Sequence, residues 1–174
     1  MTLIEIVNNL ENKNQIKLAI ELIEIGLPIW VNYTEKTQIE YTDSVVGMYH
    51  KIDNGLIERS IKLLKKGNGR KISITNKIYE FKIKSLHNEI REAVVAREDN
   101  DFEIPPEVEL ILYSISNLIE YAIGKVNNSL KENLAYISIN QSIDAITQSG
   151  ILTFSEIDKI IIKEIGRASC RERV

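Results

Sequence analysis

Histidines, cysteines and paired carboxylates are where chemistry would start in this chain, and it holds few of the first two. His50 and His87 are the only histidines and Cys170 the only cysteine among 174 residues. A zinc site draws three or four such ligands from set spacings. Neither histidine sits in an H-E-x-x-H pattern, and neither has a cysteine nearby. His50 follows Tyr49 near an expected helix end and reads as a core-edge or surface side chain. No serine occupies the G-x-S-x-G elbow that exposes a nucleophile. The stretch from Gly67 through Gly69 to Lys71 lacks the spacing of a phosphate loop. The E-x-x-H signature of di-iron bundles is missing as well. The expectation is a non-enzymatic protein with no catalytic residue, no metal and no cofactor.

Charge is more informative. Residues 59–84 hold nine bases (Arg59, Lys62, Lys65, Lys66, Arg70, Lys71, Lys77, Lys82 and Lys84) against one acid, Glu80. Residues 98–109 reverse the sign, with Glu98, Asp99, Asp101, Glu103, Glu107 and Glu109 and no base. Two solvated faces, even faces turned toward each other, account for both runs. Read functionally, the basic run would suit nucleic acid, but the net charge of −3 and the lack of interleaved aromatics argue against it. The acidic run would suit a basic protein partner, with Phe102 as an apolar anchor; its candidate contacts are those six carboxylates and Phe102.

Whatever these residues do, helices must position them. Residues 14–33, NQIKLAIELIEIGLPIWVNY, place Ile16, Ala19, Ile20, Ile23, Leu27 and Trp30 on one helical face. Leu18, Leu22, Ile25 and Ile29 add a second stripe, leaving Lys17, Glu21 and Glu24 for water. A helix apolar around most of its girth belongs at the centre of a bundle. Pro28 withholds a donor from the carbonyl of Glu24, so this helix is expected to kink, or to end and restart, around Gly26 and Leu27.

The other elements follow in order. Thr2 and Glu5 form a capping box for a first helix reaching about Leu10. Residues 34–42 read as a connection, and residues 43–52 as a helix with Val45, Val46, Tyr49 and Ile52 on one face. Leu56, Ile57, Ile61 and Leu64 carry an apolar face to Lys66, where Gly67 stops it. KISIT at 71–75 alternates like a strand but has no obvious partner, so it reads as a lead-in to a long helix ending near Arg97. Residues 98–104 read as an acidic loop. Pro105 and Pro106 open the next helix, with Glu107 and Glu109 near its positive end. Ser129 with Glu132, and Thr153 with Glu156, are capping boxes for two more helices, the first stopped by Gly150 and the second reaching Ile165.

The fold class expected is therefore an all-α, single-domain bundle of about seven to eight helices over residues 1–165. The chain is long enough to bury roughly 68–70% of its unfolded surface, and its composition, 44% hydrophobic and 27% charged, is globular. Thirty-one isoleucines exceed what helix propensity favours, so burial must hold these helices. Residues 166–174, GRASCRERV, carry three arginines, whereas residues 1–165 hold only Arg59, Arg70, Arg91 and Arg97. That ending resembles translated adaptor sequence and reads as a non-native tail. No signal peptide and no membrane span are expected, and the lone cysteine fits a reducing cytoplasm.

The run LAIEL from Leu18, continued by GLPIWVNY through Pro28, Trp30 and Tyr33, resembles the helical immunity proteins of bacterial polymorphic toxin systems. Those proteins carry a Leu-Pro-x-Trp element on an early helix, and a later helix of theirs is similar to LIEYA at 118–122. The resemblance covers residues 1–165 and rests on apolar motifs. It implies a cytoplasmic inhibitor that binds and neutralises a cognate toxin, a basic nuclease being one candidate. It carries over no catalytic residue. The alternative from another class is a helical regulatory or nucleic-acid-associated module using residues 59–84.

Overall fold

The structure, a computed structural model, describes residues 2–42, 49–67, 77–99, 104–124 and 133–171. It is an all-α bundle. Among the described residues seven helices form: α1 (Leu3–Asn8), α2 (Asn12–Thr34), α3 (Leu56–Lys66), α4 (Lys77–Asp99), α5 (Pro106–Ala122), α6 (Leu134–Gln148) and α7 (Phe154–Arg171). Two short strands, β1 (Glu40–Thr42) and β2 (Tyr49–Lys51), pair between α2 and α3.

Helix α2 lies at the centre, as its two stripes require. Ile16, Leu18, Ala19, Leu22, Ile23 and Trp30 are fully or almost fully buried, and the helix packs on α5 and α6. It runs through Pro28 without a break. Pro28 and Glu24 are both exposed, so water can take the carbonyl that the proline leaves without a donor. Gly26 is buried against α5 and α6. A Cβ there would collide with the side-chain end of Ile111 and lie 3.6 Å from Cγ1 of Ile146 on α6. An alanine there would force the Ile111 side-chain end to shift.

The α5–α6 pair is the most extensively packed in the bundle, and small residues allow it. Ser114 on α5 donates to the Ser138 carbonyl at 3.0 Å, and its hydroxyl lies 2.6 Å from that of Ser142 on α6. All three serines are fully buried, yet each hydroxyl has a partner, which removes the cost of burying it. A second polar knot closes one end. The Tyr121 hydroxyl lies 2.5 Å from Asn12 Oδ1 and 2.6 Å from Gln15 Oε1, its one proton shared between them, and Asn133 donates to Gln15 at 3.0 Å. α7 rests on α2 and α6 through Ile157 and Ile161, leaving Phe154 and Ile162 exposed.

Several boundaries differ from those read in the sequence. The helix expected over 43–52 is not formed at its end: residues 49–51 pair antiparallel with 40–42, Tyr41 opposite His50. Residues 43–48 lie outside the described residues. Aromatic and β-branched residues such as Tyr41, Thr42 and Tyr49 suit a pleated strand, and the apolar spacing used to infer a helix there was too short to discriminate. α6 begins at Leu134 and not at Ser129, because Asn133 takes the cap position and accepts from the Ala135 N–H at 2.9 Å. Ser129, Glu132 and the 71–75 stretch lie outside the described residues. α7 continues past Ile165 to Arg171, into the segment set aside as a tail. The capping boxes at Thr2 and Thr153 form as expected.

Candidate functional site

Among the described residues the basic run of 59–84 falls on α3 and α4, whose packing forms a groove; Arg70 and Lys71 lie outside the described residues. On α3, Leu56, Ile57, Ser60, Ile61 and Leu64 are buried, which turns Arg59, Lys62 and Lys66 outward. The start of α3 is fixed from below by the buried Trp30, whose indole N–H donates to the Asn54 carbonyl at 2.9 Å. Its far end is fixed by Tyr79, which donates to the Leu63 carbonyl at 2.8 Å. A Cβ on Gly67 would collide with that Tyr79 hydroxyl, so glycine is what lets the start of α4 reach the end of α3. Burial raises the pKa of Tyr79, keeping the phenol neutral as a donor.

On α4, Ile83, Leu86, His87, Ile90 and Ala93 face inward. His87 is almost fully buried, and its Nε2 meets the Glu120 carboxylate of α5 at 2.9 Å. It therefore spans a helix interface. Phe81, Lys82 and Ser85 face outward. The groove between α3 and α4 encloses about 420 Å³. Leu63 and Leu86 contribute its apolar lining, and Arg59, Lys62, Lys66 and Lys82 supply four cations against the single carboxylate of Glu89. Phe81 also lines it with 73% of its surface exposed, the most exposed large apolar side chain among the described residues.

The cations are not equivalent. One Arg59 nitrogen, Nη2, meets Asp53 at 2.8 Å and Glu89 at 2.9 Å, tying α3 to α4. Lys62 pairs with Glu58 one turn away at 2.8 Å, and Lys65 reaches Glu24 of α2. These pairs are exposed and contribute little stability each. Lys66 and Lys82 have no ion-pair partner among the described residues, so they are left to attract something else.

The acidic candidates are distributed differently. Glu98 and Asp99 do not lie in a loop: they form the last turn of α4, because no glycine or proline stops that helix before them. Glu107 and Glu109 occupy the first turn of α5, which has no side-chain cap, and their charge complements its dipole there. Asp101, Phe102 and Glu103 lie outside the described residues. That leaves four of the six carboxylates on two helix ends flanking one connection.

Phe81 is the residue the sequence reading passed over. Its signal was available: it lies two positions before Ile83, about 200° around the helix, and so falls off the Ile83, Leu86, Ile90 stripe. Among the described residues no three His, Cys, Asp or Glu side chains gather to hold a metal ion, and no helix is long and apolar enough to cross a membrane. Comparison with protein-family models, with curated proteins and with solved structures finds no match.

Proposed function

We propose that this chain is a non-enzymatic protein-binding module that works in the cytoplasm as an immunity protein, capturing and neutralising a cognate bacterial toxin. The observation that carries the binding role is Phe81, held in the open among Lys62, Lys66 and Lys82 on the rim of a groove. Leaving a large aromatic ring in water forgoes the 1.5–3 kcal/mol or so that burying it gives. Exposed aromatics ringed by charge are typical anchors of protein interfaces. The sidedness of the chain supports a protein partner over nucleic acid: the groove mixes leucines and a carboxylate with its cations, and the whole chain is net negative. The toxin reading draws on the resemblance of the Pro28–Trp30 region to helical immunity proteins.

The experiment is protection. A candidate toxin domain, taken from a reading frame adjoining this chain's gene, is expressed in a bacterial host with and without the chain, and growth is followed. Full rescue, with a one-to-one complex on size-exclusion chromatography, is expected. Growth arrest despite soluble chain would overturn the reading.

A further inference from the structure

We infer that the α3–α4 groove takes an acidic amphipathic helix of the partner, with its apolar side chains on Phe81, Leu63 and Leu86 and its carboxylates on Lys66 and Lys82. This rests on the protein-binding reading above and names what the site accepts.

Charge gives the sign. The groove lining is strongly positive in a chain whose net charge is −3, so its field opposes that of the rest of the molecule and selects a negative segment. Lys66 and Lys82 have no ion-pair partner among the described residues, and an arriving carboxylate need not displace an internal one. Geometry gives the shape. The lining runs from Arg59 to Lys66 on one wall and from Phe81 to Glu89 on the other, roughly 10–12 Å, or two helical turns, at 1.5 Å per residue. Both walls are helices, whose backbone groups are bonded internally, so a peptide strand would find no ladder to join. The occupant must bind by side chains and satisfy its own backbone. A helix with apolar residues at i, i+3 or i+4, and i+7 does both. A nucleic acid strand would instead meet two leucines, a carboxylate and only one stacking ring.

The test uses the full chain and fluorescence anisotropy with three probes: a synthetic helix of about 18 residues, five turns, with leucines on one face and glutamates beside them; the same peptide with lysines replacing the glutamates; and a single-stranded oligonucleotide of similar length. The acidic helix is expected to bind, and affinity should fall about tenfold in Phe81→Ser and again in Lys66→Glu/Lys82→Glu. All three positions are exposed, so circular dichroism and melting temperature should match the parent. Preference for the lysine peptide or the oligonucleotide would overturn the inference. So would an acidic helix that binds the variants as well as the parent, or that fails to bind the parent at about 100 μM. Toxin protection separates the two proposals. Protection that survives Lys66→Glu/Lys82→Glu leaves the immunity role standing and removes the groove; groove-dependent binding without protection by the parent does the reverse.

Discussion

Gly26→Ala should destabilise the protein although it improves the helix. In a helix interior alanine is favoured over glycine by about 1 kcal/mol. Against that gain, the new methyl would strike Cδ1 of Ile111 and come within 3.4 Å of its Cγ1. Ile111 is fully buried, so its side-chain end can yield only by displacing packed neighbours. Overpacking of this kind costs about 1–3 kcal/mol, which gives a net loss of up to about 2 kcal/mol. The cause can be isolated by removing the struck atom. Ile111→Val alone deletes Cδ1 and should cost about 0.5–1.5 kcal/mol. In the double variant the alanine methyl fills the space the valine leaves, so stability should return to the parent value or exceed it. The assay is urea unfolding of all four proteins, followed by far-UV circular dichroism and by Trp30 fluorescence. Additive losses, or a Gly26→Ala variant more stable than the parent, would refute the claim that close approach at Gly26 sets the α2–α5 spacing.

Three further outcomes are expected. Trp30→Phe should lose about 2–3 kcal/mol through the unfilled volume and the lost bond to the Asn54 carbonyl; a change below about 0.5 kcal/mol in a urea melt followed by circular dichroism would contradict it. Tyr121→Phe should cost about 1–2 kcal/mol, since Asn12 and Gln15 lose a donor. Burial raises the Tyr121 pKa above the ordinary tyrosine value, so the stability from the neutral phenol is complete below about pH 10 and is lost as pH rises through the higher folded value. The variant should show a shallower alkaline decline, with Tyr33 and Tyr79, raised in the same direction, supplying what remains; equal slopes would count against this. The Glu156 pKa is lowered by the Thr153 backbone N–H first and its hydroxyl second. Its contribution is therefore present above the unfolded value and lost as pH falls through the folded one. Thr153→Ala removes only the hydroxyl, so titration by NMR should find Glu156 moved part of the way back; an unmoved value would mean that the hydroxyl bond does not form in solution.

Long apolar periodicity made the bundle legible. α2 repeats its stripe over about four turns, and tertiary packing agrees with the pattern, so the face read as inward is the one that is buried. Capping chemistry was equally readable at Thr2 and Thr153, where the donor and acceptor sit three residues apart in one chain. At Asn133 it was not, because that side chain also bonds Asn8 and Gln15 more than a hundred residues away. The β1–β2 ladder was missed for a related reason: a strand of three residues takes its identity from its partner. The groove was half visible. Its cations stood out as a run, but the sign alone could not tell a solvated face from a site. What distinguishes them is Phe81, which lies off the buried stripe, and the ion pairs that, among the described residues, occupy Arg59 and Lys62 but leave Lys66 and Lys82.

The central place of α2 has a consequence for synthesis. α2 leaves the ribosome well before α5 and α6, the surfaces that cover it; Gln15 and Tyr121, which bond in the finished protein, are 106 residues apart. At about 5–20 residues per second, translation of roughly a hundred further residues takes some 5–20 s. Through that interval Ile16, Leu22 and Ile23 lack the α5 and α6 faces that cover α2 in the finished bundle. The nascent chain should be a client of ribosome-associated chaperones, and slowing translation between Thr34 and Pro106 should lower the soluble yield far more than slowing it after Gln148.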